Sequence, residues 1–73
     1  MGSDERVITL RINGKESSVS AGSTLQDLIE KMQLDERYLV VEWNGEPRGR
    51  DSFASTVLRE GDRLELVRPV AGG

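Results

Sequence analysis

The stretch that decides the fold is Val7–Ile12, VITLRI, followed at once by Asn13-Gly14. Three apolar residues share one face of a period-two strand: Ile8, Leu10 and Ile12. An Asn-Gly pair is the strongest short signal of a β-hairpin, because both central residues of a type I′ turn need positive φ. The chain is therefore predicted to return antiparallel over Lys15–Val19.

A helix is predicted next, over residues 24–32. Ser23 and Gln26 fit a capping box, in which each side chain satisfies a backbone N–H of the other. Four apolar residues then recur at helical spacing and predict the buried face: Leu25, Leu28, Ile29 and Met32. Gln26, by the same periodicity, is expected to face water.

The remainder of the chain predicts two further strands and a short edge segment. Leu39–Trp43 reads as a third strand, Asn44-Gly45 as a second hairpin-type turn, and Arg63–Val67 as the last strand. Pro47 and Gly49 suit only an edge segment, and residues 52–58 have a weakly helical pattern.

A hairpin and one helix cannot bury an apolar face by themselves. The simplest closure brings the last strand beside the first and parallel to it, with the helix as the crossover. The predicted fold class is therefore α+β: a roll with a mixed four- to five-stranded sheet and one main helix packed on one face.

Composition excludes several classes of function. At 73 residues there is room for one domain, predicted over residues 7–70 between a flexible N-terminus (1–6) and a flexible tail (71–73). Met1-Gly2-Ser3 is interpreted as a remnant of the expression vector. The absence of cysteine and histidine removes disulfides, thiolate nucleophiles, Ser-His-Asp chemistry and zinc sites, so no enzyme activity, bound cofactor or metal is expected.

The charge and hydropathy of the chain argue against two kinds of partner. A net charge of −3 is unlike that of a nucleic-acid binder, which normally carries a basic face. No apolar run approaches membrane-spanning length, and the N-terminus lacks the layout of a signal peptide. A cytoplasmic protein that is monomeric by itself is expected.

The end of the chain is the most informative functional feature. Gly72 and Gly73 follow the last strand closely, with Ala71 before them. Glycine weakens both helix and strand, but it gives the thinnest backbone for entry into a narrow channel. The reactive group is therefore predicted to be the α-carboxylate of Gly73, and a docking surface for another protein is predicted around three residues beside the tail: Val67, Arg68 and Val70.

Other conspicuous residues have simpler interpretations. Trp43 alternates with Val41, so core packing is favoured over a docking role for the indole. Asp62 follows Gly61 and is expected to serve the turn. Arg50 and Arg63 are interpreted as solvated surface charges.

The order and spacing of five short motifs resemble those of the ThiS family of ubiquitin-like β-grasp sulfur carriers. The resemblance extends from about Ile8 to Gly73, which is nearly the whole chain. The motifs are ING at residues 12–14, TL at 24–25, VEWNGE at 41–46, LREGDRLELV at 58–67 and VAGG at 70–73. The chain departs from the family at two positions. Gly49 stands where the family usually has a proline before the arginine that aligns with Arg50, and Pro69 stands where a β-branched or aromatic residue is more usual.

The resemblance implies a ubiquitin-like β-grasp fold and a carrier that acts as co-substrate of other enzymes. A ubiquitin-activating-type adenylyltransferase, ThiF-like, would use Mg-ATP to adenylate Gly73, so ATP and Mg²⁺ would come through that partner. A cysteine desulfurase or rhodanese-type donor would supply sulfur, leaving a C-terminal thiocarboxylate. A ThiG-like thiazole synthase would accept the sulfur in thiamine biosynthesis.

Alternatives remain open at the level of sequence. Pro69-Val70 before Gly-Gly also resembles the molybdopterin synthase small subunit, and carriers for cysteine or tRNA thiolation share the activation step. The chain could instead be a ubiquitin-like protein modifier joined to lysines through Gly73. A plain interaction domain with incidental terminal glycines is the third class.

Overall fold

The structure of the protein is a computed structural model that describes residues 6–68. Within that range the chain forms five strands, one α-helix and two short 3₁₀ helices. In chain order these are β1 (Val7–Ile12), β2 (Lys15–Ser20), α1 (Leu25–Lys31), a 3₁₀ helix at Glu36–Tyr38, β3 (Val40–Trp43), β4 (Glu46–Arg48), a 3₁₀ helix at Arg50–Ser55 and β5 (Arg63–Val67).

The five strands form one mixed sheet in the order β2-β1-β5-β3-β4. β5 lies parallel to β1, with Ile12 opposite Leu64, while β3 runs antiparallel to both β4 and β5. The predicted α+β class, with the last strand beside the first, is confirmed. Because β5 is the central strand, the chain leaves the sheet from its middle.

Both Asn-Gly turns are formed as predicted. Asn13 and Gly14 have φ values of 53° and 84°, and Asn44 and Gly45 have φ values of 52° and 86°. Asparagine tolerates this left-handed region better than most residues with a Cβ, because its short polar side chain can bond locally. Each turn joins an antiparallel pair, β1 to β2 and β3 to β4.

The helix cap lies one residue later than the sequence predicted. Thr24 is the N-cap: its hydroxyl accepts from the Asp27 N–H at 3.1 Å, and the Asp27 carboxylate accepts from the Thr24 N–H at 2.9 Å. The predicted Ser23–Gln26 box is wrong because the backbone of Ser23 is already bonded, its N–H to Ser20 and its carbonyl to Leu58. Gln26 is half-buried and donates instead to Glu30 and Glu36.

The core lies between α1 and one face of the sheet. Leu25, Leu28 and Ile29 are buried as predicted, at 0%, 4% and 1% exposure. The prediction for Met32 is wrong: its side chain is 41% exposed. The helix ends at Lys31, Met32 is the C-cap, and Gln33 at φ 60° turns the chain before the stripe can complete another turn.

Three element boundaries differ from the prediction. β2 extends to Ser20, β3 begins at Val40 rather than Leu39, and the weakly helical stretch is the 3₁₀ helix Arg50–Ser55 followed by extended chain. The 3₁₀ helix at Glu36–Tyr38 was not predicted. The apolar residues of this region nevertheless complete the core, with Phe53 1% and Leu58 2% exposed.

Candidate functional site

The last described residues follow directly from the central strand. Val67 ends β5 and lies opposite Val40 of β3, and Arg68 after it is exposed. On its other side β5 loses its strand partner early, because the β1 ladder stops at the pair of Ile12 and Leu64. Beyond Leu64, on the edge of β5 that faces β1, one side chain forms hydrogen bonds with the β5 backbone.

That side chain is the carboxamide of Asn13. Its Oδ1 accepts from the Leu66 N–H at 2.8 Å, and its Nδ2 donates to the Leu66 carbonyl at 3.1 Å. The backbone N–H of Asn13 also donates to the Leu64 carbonyl at 2.8 Å. The carboxamide therefore substitutes for a strand residue, and β5 is held on both edges as far as Leu66.

The start of β5 is fixed by a second cluster, centred on Asp62. This buried carboxylate accepts hydrogen bonds from Trp43 Nε1 at 3.0 Å, Asn44 Nδ2 at 3.0 Å and the Arg59 N–H at 2.8 Å. Burial alone would raise the pKa of Asp62, but the hydrogen bonds from Asn44, Trp43 and Arg59 hold its pKa below the ordinary value of 3.8. Asn44 Oδ1 in turn accepts from the Arg63 N–H at 2.9 Å.

Trp43 belongs to this cluster. Its indole is half-buried against the core, and the Arg48 guanidinium lies 5.0 Å from the ring centroid. The indole N–H is used by Asp62. The core interpretation of Trp43 is confirmed, whereas the role of Asp62 extends well beyond the turn that the sequence indicated.

The face of the sheet opposite α1 carries an apolar pair beside an acidic pair. Val40 and Val67 lie directly opposite each other and are 53% and 52% exposed. Two residues back along β5, Glu65 lies directly opposite Glu42, and both glutamates are exposed. Like charges in this arrangement repel, and within residues 6–68 neither glutamate is in an ion pair. We call these four residues the open-face patch.

Two of the three residues of the predicted docking surface lie within the described range. Val67 and Arg68 are exposed, as expected, and Val67 belongs to the open-face patch. The predictions for Val70, Ala71, Gly72 and Gly73 lie outside the described residues. Among residues 6–68, no group of three or more acidic, histidine or cysteine side chains is placed to hold a metal ion, and no helix is long and apolar enough to cross a membrane.

Sequence reasoning missed Asn13 and Asp62. Each residue belongs to a motif that predicts only a turn. In the structure, the Asn13 side chain bonds to the backbone of β5, and Asp62 bonds to residues that fix the start of β5. For Asn13 the available signal was that the turn starts with asparagine, whose carboxamide can both donate and accept hydrogen bonds. For Asp62 the sequence offers no comparable signal.

A helix packed on a five-stranded mixed sheet, with the chain leaving from the central parallel strand, defines a ubiquitin-like β-grasp domain. The model of the ThiS family matches residues 7–73. The chain therefore belongs to the ThiS family.

Similar proteins agree with this assignment. The sulfur carrier protein ThiS of Bacillus subtilis is 34% identical over 65 residues, covering 88% of this chain and 98% of that protein. A crystal structure of the thiamine biosynthesis protein ThiS from Geobacter metallireducens superposes with a TM-score of 0.78 at 30% identity, covering 90% of this chain and 100% of that one.

The chain also matches longer proteins. A thiazole synthase of Paramagnetospirillum magneticum is 38% identical over 64 residues, covering 88% of this chain. The chain spans about a fifth of the length of that protein, and the same share of a thiazole synthase of Magnetococcus marinus at 30% identity.

Proposed function

We propose that this protein is a sulfur carrier of thiamine biosynthesis, and that the C-terminal carboxylate of Gly73 carries the sulfur. The observation that carries the proposal is the family match, which continues through residue 73 and so includes the Gly-Gly end. The chain has no cysteine on which sulfur could be held as a persulfide. The Gly-Gly end offers a C-terminal carboxylate as the carrier group instead.

The chemistry needs activation, because a carboxylate is a poor acyl donor. A carboxylate oxygen of Gly73 attacks the α-phosphate of Mg-ATP, pyrophosphate leaves, and an acyl-adenylate forms. The terminal sulfur of a persulfide on a cysteine desulfurase or rhodanese-type donor then attacks the acyl carbon, the C–O bond breaks and AMP leaves, which gives an acyl disulfide. Two equivalents of a thiol reductant cleave the S–S bond, release the donor's cysteine and are themselves oxidised to a disulfide. The product is a C-terminal thiocarboxylate.

The catalytic groups for these steps belong to partner enzymes. The chain contains neither histidine nor cysteine, so it lacks the usual general base and nucleophile. ATP and Mg²⁺ are bound by a ubiquitin-activating-type adenylyltransferase, ThiF-like, and the carrier acts as its co-substrate. Gly72 and Gly73 lack a Cβ, and a tail that lacks one fits a narrow passage to the active site.

The open-face patch, which includes Val67, is the proposed docking surface for that partner, and Arg68 and Val70 are proposed to contribute to docking as well. A protein that covers the patch must offer apolar side chains to Val40 and Val67. It must also offer cations to Glu42 and Glu65, because burying two like charges without counter-charges is unfavourable.

Thiazole synthase, ThiG-like, is the proposed acceptor of the sulfur. The support is that two relatives named thiazole synthase contain a region similar to this chain. The proposed carrier is a cytoplasmic monomer that binds no cofactor of its own. Acceptors for molybdopterin, cysteine or tRNA thiolation would share the activation step but lack this support.

The test is the mass of the intact protein after incubation with Mg-ATP, a sulfur donor and the adenylyltransferase. We expect one oxygen to be replaced by sulfur, with the change located at Gly73 by fragmentation. Matched controls are a variant without Gly73 and a variant with one alanine appended after it, and both should remain unmodified. Conversion of the variant without Gly73 would overturn the mechanism, and isopeptide-linked adducts would identify a protein modifier instead.

A further inference from the structure

A second surface lies on the helix side of the sheet, where β2 runs beside the C-terminal half of α1. The space between them is an open groove of about 460 Å³. Its floor is apolar and is formed by Ile12, Val19, Leu28 and Met32. The exposed Met32 thioether, wrongly assigned to the core from sequence, is part of this floor, and methionine adapts its shape readily to an apolar occupant.

One wall of the groove is an unpaired strand edge. β2 is the outermost strand of the described sheet and pairs with β1 alone. Ile12 and Lys15 flank the two-residue turn, so hydrogen-bonded pairs alternate from there and the backbone groups of Glu16 and Ser18 point away from β1. Among residues 6–68 no other segment donates to or accepts from them. They are free to bind another extended chain.

The end of the groove near the hairpin turn is positively charged. Lys15 of β2 and Lys31 of α1 both line it, both are exposed, and within the described residues neither is in an ion pair. Two unpaired lysines on one groove of a chain with net charge −3 give this surface the opposite sign to the protein as a whole. The matching ligand charge is a carboxylate.

We propose that this groove binds an extended, acidic segment of another protein, which adds to the sheet as a sixth strand beside β2. Backbone hydrogen bonds form with Glu16 and Ser18, and alternate side chains of the added strand point toward α1. Two of these should be apolar, to contact Val19, Leu28 and Met32. The next on the same side should be an aspartate or glutamate, to reach Lys15 and Lys31.

A second copy of this chain fits the groove poorly. The edge it would add is its own β2, KESSVS, which offers one apolar side chain, Val19, among three serines and two charged residues. Its lysine would also approach the lysines already present. The proposal concerns a surface separate from the open-face patch and does not depend on the chemistry of Gly73.

The test uses two synthetic peptides, acetylated Ser-Val-Thr-Ile-Thr-Glu-Asp amide and the reversed sequence, which together cover both strand directions. Binding to the ¹⁵N-labelled protein is followed by NMR. We expect one peptide to give saturable shifts confined to β2 and the Leu28–Met32 segment. A peptide with Gln-Asn in place of Glu-Asp should bind about tenfold more weakly.

Variants of the protein identify the contacts. Ser18→Pro removes the outward N–H at an edge position that tolerates proline, and it should abolish binding, whereas Ser18→Ala should bind as the parent does. The double variant Lys15→Glu, Lys31→Glu should lose at least about tenfold in affinity, and Arg50→Glu, whose side chain is not among those that line the groove, should not. Melting curves verify that each variant is folded, and all should still form thiocarboxylate at the parental rate.

Four results would overturn the inference. The first is the absence of shifts with either peptide at about 1 mM, a concentration that half-saturates a site of millimolar Kd. The second is a set of shifts on the open-face patch instead of β2. The third is undiminished binding by a folded Ser18→Pro variant. The fourth is self-association of the free protein through β2, which would make a second copy the occupant.

Discussion

Asn13 and Leu66 lie 53 residues apart in the chain and are joined by two hydrogen bonds between one side chain and one backbone unit. The side chain of a hairpin turn thus completes the central strand just before the chain leaves the sheet. The contact couples the tip of the first hairpin to the root of the proposed carrier tail. Its loss should affect both stability and the order of the tail root.

Replacing Asn13 by glycine should separate its role in the turn from its hydrogen bonds to Leu66. Gly keeps the positive φ of the turn but removes both bonds to Leu66, so we expect a loss of about 1–2 kcal/mol in the free energy of unfolding. Asn13→Asp keeps the acceptor and loses the donor, and should lie between. Urea denaturation measures the stability, and hydrogen exchange of the Leu66 amide should quicken in Asn13→Gly; unchanged exchange would contradict the assigned contact.

The helix stripe allows a paired test of burial. Leu28→Ala should lower the free energy of unfolding by about 2–5 kcal/mol, because the side chain is buried and a cavity remains. Met32→Ala, at the exposed end of the same stripe, should cost less than about 1 kcal/mol. Equal losses in thermal or chemical unfolding would show that the helix does not end as described.

The open-face patch can be tested with a charge. Val67→Asp should leave the fold intact, because half of the side chain is exposed. It should raise the KM for adenylation at least about tenfold, since it adds an unpaired charge beside the glutamates when the partner covers the patch. Val7→Asp on the same face is the matched control and should leave the KM unchanged. A parental KM for folded Val67→Asp would remove this face from the interface.

The tail itself is tested by Gly72→Val. A β-branched side chain is bulky in a narrow passage and disfavours positive φ, so we expect adenylation to fall at least about a hundredfold, as AMP or pyrophosphate release reports. Gly72→Ala should be affected less. Unfolding of both variants should match the parent; a Gly72→Val variant activated at the parental rate would show that the passage is wide.

Asp62 predicts a pH dependence of stability. The hydrogen bonds from Asn44, Trp43 and Arg59 hold its pKa below 3.8 when folded, so its carboxylate stabilises the protein above that pH. The stabilisation is lost as the pH falls through the folded pKa. Asp62→Asn should therefore be less stable than the parent near neutrality, and the difference should shrink in acid. A difference independent of pH would mean that the charge contributes nothing.

The architecture could be predicted because its signals are local. The alternation of Val7–Ile12, the two Asn-Gly turns and the Leu25–Leu28–Ile29 spacing each depend on a few neighbouring residues, and each is realised in the structure. The N-terminal cap of the helix was mispredicted for a non-local reason: the Ser23 carbonyl accepts from the backbone N–H of Leu58, far along the chain, and Thr24 is the cap instead.

The candidate site could be predicted from the sequence only where a local pattern, such as strand alternation, determines exposure. Exposure of Val67 follows from strand alternation, whereas its pairing with Val40 and the facing glutamates depends on strand order, which periodicity does not fix. Likewise the contact of Asn13 with Leu66 needs β1 and β5 as neighbours. Residues that act through long-range hydrogen bonds leave no spacing signal in a single sequence.

Asn13 and Asn44, whose side chains bond to β5, both precede a glycine and are therefore sites where deamidation can occur. In an Asn-Gly pair the glycine nitrogen can attack the side-chain amide and expel ammonia, and water then opens the resulting succinimide to aspartate or isoaspartate. At Asn44 the lost amide group lies 3.0 Å from Asp62, so the product sets a new carboxylate against a buried one. Slow deamidation in storage would thus loosen the central strand from its beginning, without any change in the residues of the strand itself.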